Sequence, residues 1–229
     1  MSKRIALITG SSKGLGRCLA LEFSNQGYDI IIHGRDKAIL DEIENEIRKK
    51  GECYSVVGDI AEEKTLEVLA EEAKKRNIDV LVNNAGIYLS KTAGEMSIEE
   101  LRKVMEVNFF AHVSLTKKLI PYFLEKGKGL IVNINSVAGK QGSLGESAYA
   151  ASKHALKGFF DSLSFELTKS GIMILNVYSG AIATKMTAGR KNQENLMKPA
   201  EVAKAIVKNC ELYDSLGIRE INLGKLRYG

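Results

Sequence analysis

The sequence predicts a single α/β domain built on a parallel, doubly wound sheet, and three observations carry that prediction. Short apolar, β-branched runs alternate with longer segments of helical period along the whole chain. The middle runs are apolar almost throughout, as parallel strands covered on both faces must be. No linker, internal repeat or low-complexity stretch breaks the alternation, so residues 1–229 are read as one unit. Seven strands are expected at Ile5–Ile8, Ile30–Ile32, Tyr54–Val57, Val80–Val82, Leu130–Ile134, Ile172–Val177 and Glu220–Leu223. Helices are expected over 15–26, 36–50, 62–76, 97–124, 148–170 and near 199–213. Leu40, Ile43 and Ile47 recur at helical spacing, Asp36 suits an N-cap, and Pro199 suits a first helical turn with Glu201 near its positive end. In such a fold the ligand lies outside the C-terminal ends of the strands, so the chemistry is expected after residues 8, 32, 57, 82, 134 and 177.

Composition narrows the class. The 45% hydrophobic and 27% charged residues are ordinary globular values, and two prolines and 21 glycines without a period of three exclude Pro-rich and collagen-like architectures. The net charge of +5 is modest, and no Lys/Arg stripe with interleaved aromatics is visible, which argues against nucleic acid. Residues 185–229 hold nine Lys/Arg against five Asp/Glu, so most of the excess sits there. Cys18, Cys53 and Cys210 are too scattered for a disulfide framework or metal site, as are His33, His112 and His154. No apolar run reaches membrane-spanning length, and Met1-Ser2-Lys3-Arg4 leads at once into a strand without a signal-like stretch. A cytoplasmic protein is the expectation.

Four motifs carry chemistry. The first strand is followed by Thr9-Gly10-Ser11-Ser12-Lys13-Gly14-Leu15-Gly16, where glycines permit a tight turn and close approach of the backbone to a diphosphate at a helix N-terminus. Asn83-Asn84-Ala85-Gly86 follows the fourth strand and Ser136 the fifth. Tyr149-Ala150-Ala151-Ser152-Lys153 opens a helix, placing Tyr149 and Lys153 on one face.

In this order and spacing the motifs resemble the short-chain dehydrogenase/reductase family over essentially the whole chain. The resemblance implies a Rossmann-type sheet of order 3-2-1-4-5-6-7 and an oxidoreductase that moves a hydride between a nicotinamide cofactor and a carbonyl or alcohol. Tyr149 would then be the general acid/base, its phenol acidified by the Lys153 ammonium. Ser136 would polarise the same oxygen, and Asn108 would support a water-linked proton relay to the lysine. The resemblance likewise assigns cofactor contacts to Thr9, Gly10, Ser11, Ser12, Lys13, Gly14, Leu15 and Gly16 of the turn, and to Asp59 and Ile60 at the adenine. Asn84, Ala85 and Gly86 would lie at the sheet end beside the cofactor, with Tyr149 and Lys153 also touching it and Gly180, Ile182 and Thr184 near the carboxamide and diphosphate. Where the family usually has Pro-Gly this chain has Ser179-Gly180, a departure expected to loosen the loop or add a hydroxyl near the nicotinamide.

The end of the second strand bears on the choice of nicotinamide. NAD-preferring relatives place Asp at the position of Gly34; here the acid is absent, Arg35 follows, and Lys13 adds a cation at the same corner. NADP(H) is therefore expected over NAD(H), with Asp36 read as the helix cap and, alternatively, as a ribose ligand. The substrate loops are less informative. Residues 87–96 offer Tyr88, Leu89 and Met96, residues 138–148 Gln141 and Leu144, and the short lid 185–198 Met186 and Met197, a moderately apolar set. Lys185, Arg190, Lys191 and Lys198 in the lid leave an acidic substrate and a merely solvated lid as alternatives.

The expected partner is a small carbonyl or alcohol, with no nucleic acid and no membrane. A 3-oxoacyl-[acyl-carrier-protein] reductase is the runner-up, because the docking arginines common in that group are replaced by Leu130 and Ser170 and its Gly-Gly tail is lacking. A non-catalytic NADP-sensing protein is the alternative from another class. Phe109, Phe110, Val113, Phe159, Phe160, Leu163 and Leu167, on the helices that relatives pair, suggest a homodimer or homotetramer.

Overall fold

The computed structural model describes residues 3–167, 169–189, 193–213 and 215–225. Seven strands form one sheet: β1 (Ile5–Ile8), β2 (Asp29–Gly34), β3 (Cys53–Val57), β4 (Val80–Asn83), β5 (Gly129–Ser136), β6 (Ile172–Ser179) and β7 (Glu220–Leu223). All pairings are parallel and the order is β3-β2-β1-β4-β5-β6-β7, as the resemblance implied. The helices are α1 (Gly14–Asn25), α2 (Lys37–Ile47), α3 (Glu63–Lys75), α4 (Ile98–Met105), α5 (Ala111–Lys126), α6 (Ser147–Glu166) and α7 (Pro199–Glu211).

Alternation along each strand sorts the core into two layers. Ala6, Ile8, Ile30, Ile32, Val80 and Val82 face the side covered by α1, α2 and α7. Leu7, Ile31 and Leu81 face the side covered by α3, α5 and α6. Each fully buried aliphatic side chain contributes about 1.5–3 kcal/mol relative to exposure, which is why the central strands carry no charge. Cys53 and Cys210 pack within the first layer, and Cys18 lies against it, all three as free thiols.

One row of buried amides crosses three neighbouring strands. Asn83, Asn133 and Asn176 stand side by side on β4, β5 and β6. Asn83 Nδ2 donates to Asn133 Oδ1 at 3.0 Å and to Thr116 Oγ1 at 3.1 Å, and Asn133 Nδ2 donates to Asn176 Oδ1 at 3.1 Å. The row ends on α6, where Asn176 Nδ2 donates to Asp161 Oδ1 and Lys157 pairs with the same carboxylate. A one-residue slip would turn these amides into the opposite apolar layer, so the row pins the register of the three strands that end at the cleft.

Two helix expectations are met and one is corrected. Asp36 caps α2 by accepting from the Ile39 amide at 3.2 Å, and Pro199 occupies the first turn of α7. The single helix expected over 97–124 is instead α4 and α5 joined by a π turn at Glu106–Phe110, which contains Asn108. The extra residue shifts the apolar phase of α5 against α4 by one position, and such turns concentrate at functional sites. Among the described residues no helix is long and apolar enough to cross a membrane.

Candidate active site

The C-terminal ends of the strands open into a cleft of about 420 Å³, lined along its length by residues of all four motifs, from Gly10 and Lys13 to Ser136, Tyr149 and Lys153. The turn after β1 is built almost wholly from backbone. Gly10 and Gly14 take φ of +66° and +58°, a region that side chains disfavour. A Cβ on Gly10 would lie 2.8 Å from Ala85 Cα, and one on Gly16 would lie 2.2 Å from the Gly10 carbonyl oxygen. The turn delivers the first turn of α1 to the cleft. Lys13, at the N-cap, makes no side-chain cap bond, and the first helical turn contains no acid. Open amides at a positive helix end fit the phosphates of a dinucleotide.

The turn is held from below by side chains expected to touch the cofactor. Thr9 and Ser11 are fully buried and do not line the cleft. Thr9 Oγ1 accepts from the Asn84 and Ala85 amides at 3.0 and 3.1 Å and donates to the Val82 carbonyl. Ser11 Oγ donates to the Ile8 carbonyl and accepts from the His33 amide at 2.8 Å. Both are positioning residues of the turn. Gly10, Ser12, Lys13, Gly14, Leu15 and Gly16 do line the cleft, as do Arg35, Asp59, Ile60, Asn84, Ala85, Gly86, Gly180, Ile182 and Thr184. Asn84 Nδ2 donates to the Thr9 and Gly10 carbonyls, tying the end of β4 to the turn.

Two histidines were missed as parts of this machinery because their partners are distant backbone groups. His33 Nδ1 accepts from the Gly10 amide at 3.2 Å, so Nε2 carries the proton and donates to the Gly58 carbonyl at 3.2 Å. His112, on α5, donates from Nε2 to the Ala85 carbonyl at 2.7 Å. Burial pushes both pKa values down, to about 4 for His33 and about 3 for His112, with the nearby Lys153 charge adding to the latter. Both are neutral at physiological pH.

The reacting end gathers residues from β5 and α6. Ser136 ends β5, its Oγ accepting from the Ala138 amide at 3.2 Å. Lys153 is buried, donates from Nζ to the Ile134 carbonyl at 2.8 Å and lies 5.8 Å from the centroid of the Tyr149 ring. Burial lowers its pKa to about 8. The Tyr149 ring packs edge-on against Tyr88, with centroids 5.2 Å apart. Asn108 is fully buried and does not line the cleft. Its Oδ1 accepts from the Ile87 amide at 2.8 Å, while Nδ2 donates to the Ile87 carbonyl and to Ser152 Oγ. The π turn thus clamps the segment after Asn83-Asn84-Ala85-Gly86 to the helix that bears Tyr149 and Lys153.

The loops resolve some of the remaining expectations. Tyr88, Gln141, Met186 and Lys185 line the cleft, whereas Leu144 is 94% exposed and Met197 packs on the core through a bridge to Ile182. Lys198 pairs with Glu201 outside the cleft, and Arg190 and Lys191 lie outside the described residues. Ser179 does not loosen its loop: β6 runs in register through Ser179 opposite Ser136, a position where proline could not donate to a ladder. Glu146, Lys103 and Thr187 also line the cleft and were not singled out from sequence.

Comparison with known proteins agrees with this geometry. Residues 4–195 match the family model for short chain dehydrogenase. The mouse dehydrogenase/reductase SDR family member 7B is 36% identical over 190 residues, covering 80% of this chain and 59% of the mouse protein. The chain therefore spans about three fifths of the length of that relative. The 3-oxoacyl-[acyl-carrier-protein] reductase of Haemophilus influenzae is 35% identical over 189 residues, covering 82% and 77% of the two chains. A putative NAD(P)-dependent gluconate 5-dehydrogenase from Beutenbergia cavernae, solved with bound NADP, superposes with a TM-score of 0.88 at 29% identity, covering 97% and 95%. With its sheet order, its cleft and these relatives together, the chain belongs to the short-chain dehydrogenase family of oxidoreductases.

Proposed function

We propose that this protein is an NADPH-dependent reductase of a small ketone or aldehyde, with Tyr149 as general acid. The observation that carries the reading is the meeting of Ser136, Tyr149 and buried Lys153 in one cleft with an open helix N-terminus. The bound cofactor would supply hydride to the carbonyl carbon. Tyr149 would give its hydroxyl proton to the carbonyl oxygen, and Ser136 Oγ would donate a hydrogen bond to the same oxygen. Lys153, as an ammonium beside Tyr149, favours the phenolate left behind and lowers the cost of that transfer. Asn108 holds the Ile87 segment against α6 and supports proton return at the Lys153 end. In alcohol oxidation each step reverses.

Preference for NADPH is supported at the far corner. Ser12, Lys13, Arg35 and Lys37 border a second cleft, and the one acid among its lining residues, Asp36, is turned to the Ile39 amide. A Cβ at Gly34 would lie 3.0 Å from Ser12 Cβ, which disfavours the aspartate that grips a free ribose. Arg35 lies 3.6 Å from Asp59, so it is already held near the adenine side.

Likeness to the Haemophilus enzyme favours one second reading, reduction of a 3-oxoacyl thioester. Against it, Leu130 is buried in β5 and presents nothing to a carrier protein. We also propose self-association through the α4–α6 face, where Phe110 is 48% exposed while Phe160, Leu163 and Leu167 of the same expected set are spent in the core. The test is NADPH consumption across ketones, aldehydes, quinones, sugars and acyl thioesters. Turnover of at least one small carbonyl is expected, falling about 10²–10⁴-fold in Tyr149→Phe. An unchanged rate in Tyr149→Phe would remove the mechanism, and tight NADP binding without any turnover would instead favour the sensing protein.

A further inference from the structure

The turn that follows β5 has an anchor that none of the motifs accounts for. Ser136 is the N-cap of a single helical turn, Val137–Gly139, and Lys140 closes that turn, its amide donating to the Val137 carbonyl at 2.9 Å. Val137, Ala138 and Gln141 line the cleft, whereas Lys140 between them does not. Its side chain reaches the edge of the sheet instead. Lys140 Nζ donates to Glu220 Oε1 and, at 2.8 Å, to Asn222 Oδ1, both on β7 and 80 and 82 positions away in sequence. Asn222 Nδ2 in turn donates to Glu220 Oε1 at 2.8 Å, which holds the two acceptors together. The ammonium stands 4.0 Å from the centroid of the Tyr178 ring, and Tyr178 is fully buried on β6. An exposed ion pair alone holds a loop weakly. Here a carboxylate, an amide and a ring face act on one ammonium, whose side chain is 34% exposed.

Two constraints on Ser136 are separate. Its backbone is fixed from α6: the Ser136 amide donates to Asn135 Oδ1 at 2.8 Å, and Asn135 Nδ2 donates to the Lys153 carbonyl at 3.2 Å. Its hydroxyl is set by the turn, where Oγ accepts from the Ala138 amide at 3.2 Å. That bond occupies a lone pair of Oγ and leaves the hydroxyl hydrogen to be donated, the direction that polarising a carbonyl oxygen requires.

We infer that Lys140 is a positioning residue of the reaction: seated on Tyr178 and held by Glu220 and Asn222, it fixes the Val137–Gly139 turn and thereby the donor direction of Ser136 Oγ. The inference rests on the reductase reading above.

The test is a double-mutant cycle with Ser136→Ala, measured as kcat and KM on a ketone that wild type reduces. Lys140→Met keeps the length of the stem and removes the ammonium. It is expected to lower kcat about tenfold, part of the about 10²–10³-fold that loss of one such donor costs, with the KM for NADPH unchanged. In the Ser136→Ala background the same substitution should change kcat by less than about twofold, because the donor it orients is gone. Lys140→Arg, which keeps a cation for Glu220 and for the Tyr178 face, should restore most of the loss. Amide exchange adds a readout that needs no turnover. The Ala138 amide should exchange faster in Lys140→Met than in wild type, while amides of the central strands exchange alike. Wild-type kcat in Lys140→Met, an equal loss in both backgrounds, or unchanged Ala138 exchange overturns this inference and leaves the reductase reading intact. Absence of wild-type turnover of every carbonyl tested overturns the reductase reading, and this inference falls with it.

Discussion

The centre of the cleft and its two ends are built in different ways. The centre is the turn after β1, the end of β4 and the buried side of α6. It is made of backbone and of buried polar groups that tie one strand end to the next: Thr9 to Asn84 and Ala85, His33 to Gly10, His112 to Ala85, Asn108 to Ile87. The ends are made of partly exposed side chains on loops. At the cofactor corner Arg35 is 69% exposed in its side chain, and at the substrate end Tyr88 and Glu146 meet from separate segments. A buried tie left without its partner costs about 1–3 kcal/mol, whereas an exposed ion pair contributes about 0–1 kcal/mol. Substitution at the centre should therefore abolish folding or cofactor binding, and substitution at the ends should only change which ligand is preferred.

The sharpest way to break that contrast is Gly16→Ala. The new methyl would meet the Gly10 carbonyl oxygen at 2.2 Å and Asn84 Nδ2 at 2.5 Å, and the first of these is backbone that cannot swing aside. Loss of measurable NADPH binding is expected, with a stability loss of about 1–3 kcal/mol or more from overpacking. Equilibrium denaturation and cofactor fluorescence report the two effects separately. Wild-type binding in this variant would mean that the turn is far more compliant than its contacts indicate.

Acid should also strike the centre first. His33 and His112 are neutral in the fold, with pKa values lowered from 6.5 to about 4 and about 3, while in the unfolded chain they protonate near 6.5. Between those values the unfolded state binds more protons, so stability falls as pH drops from about 6.5 toward 4. At about 1.4 kcal/mol per pKa unit, the two together cost several kcal/mol of stability by about pH 4 and almost nothing at neutral pH. The urea midpoint should drop steeply between pH 7 and pH 4.5. His112→Gln, which keeps a donor for the Ala85 carbonyl but cannot titrate, should flatten that slope. An equally steep slope in the variant would place the acid sensitivity elsewhere.

The same contrast governs what could be read from sequence. The apolar strand runs were legible because both faces of each central strand are buried, and the motif spacing identified the turn and the Tyr149–Lys153 helix. The strands β5 and β6 extend through Asn135, Ser136, Tyr178 and Ser179 beyond the apolar runs, because paired amides and ladder bonds carry them where hydrophobicity does not. Thr9 and Ser11 belong to a motif expected to meet a cofactor yet are buried off the cleft, a distinction that residue type alone does not express. The π turn at Glu106–Phe110 adds one residue to one helical turn, a one-position phase shift that a single-helix reading passes over. Glu146 is three residues from Tyr149 in sequence, but its bond to Tyr88 joins segments that only the fold brings together.

The smallest expected effect lies at the cofactor corner and tests the contrast from the other side. Arg35 is exposed and its ion pair with Asp59 is long at 3.6 Å, so Arg35→Ala should leave stability within about 0.5 kcal/mol of wild type. If the guanidinium meets a 2′-phosphate, its loss removes one charge-assisted hydrogen-bond partner, about 1.5 kcal/mol, or roughly tenfold in the KM for NADPH. NADH has no phosphate at that position, and its KM should change by less than about twofold, since only stacking on adenine is lost. The ratio of the two KM values is the decisive quantity. A matched rise in both would show that Arg35 serves the adenine alone, leaving Lys13 and Ser12 to distinguish the cofactors.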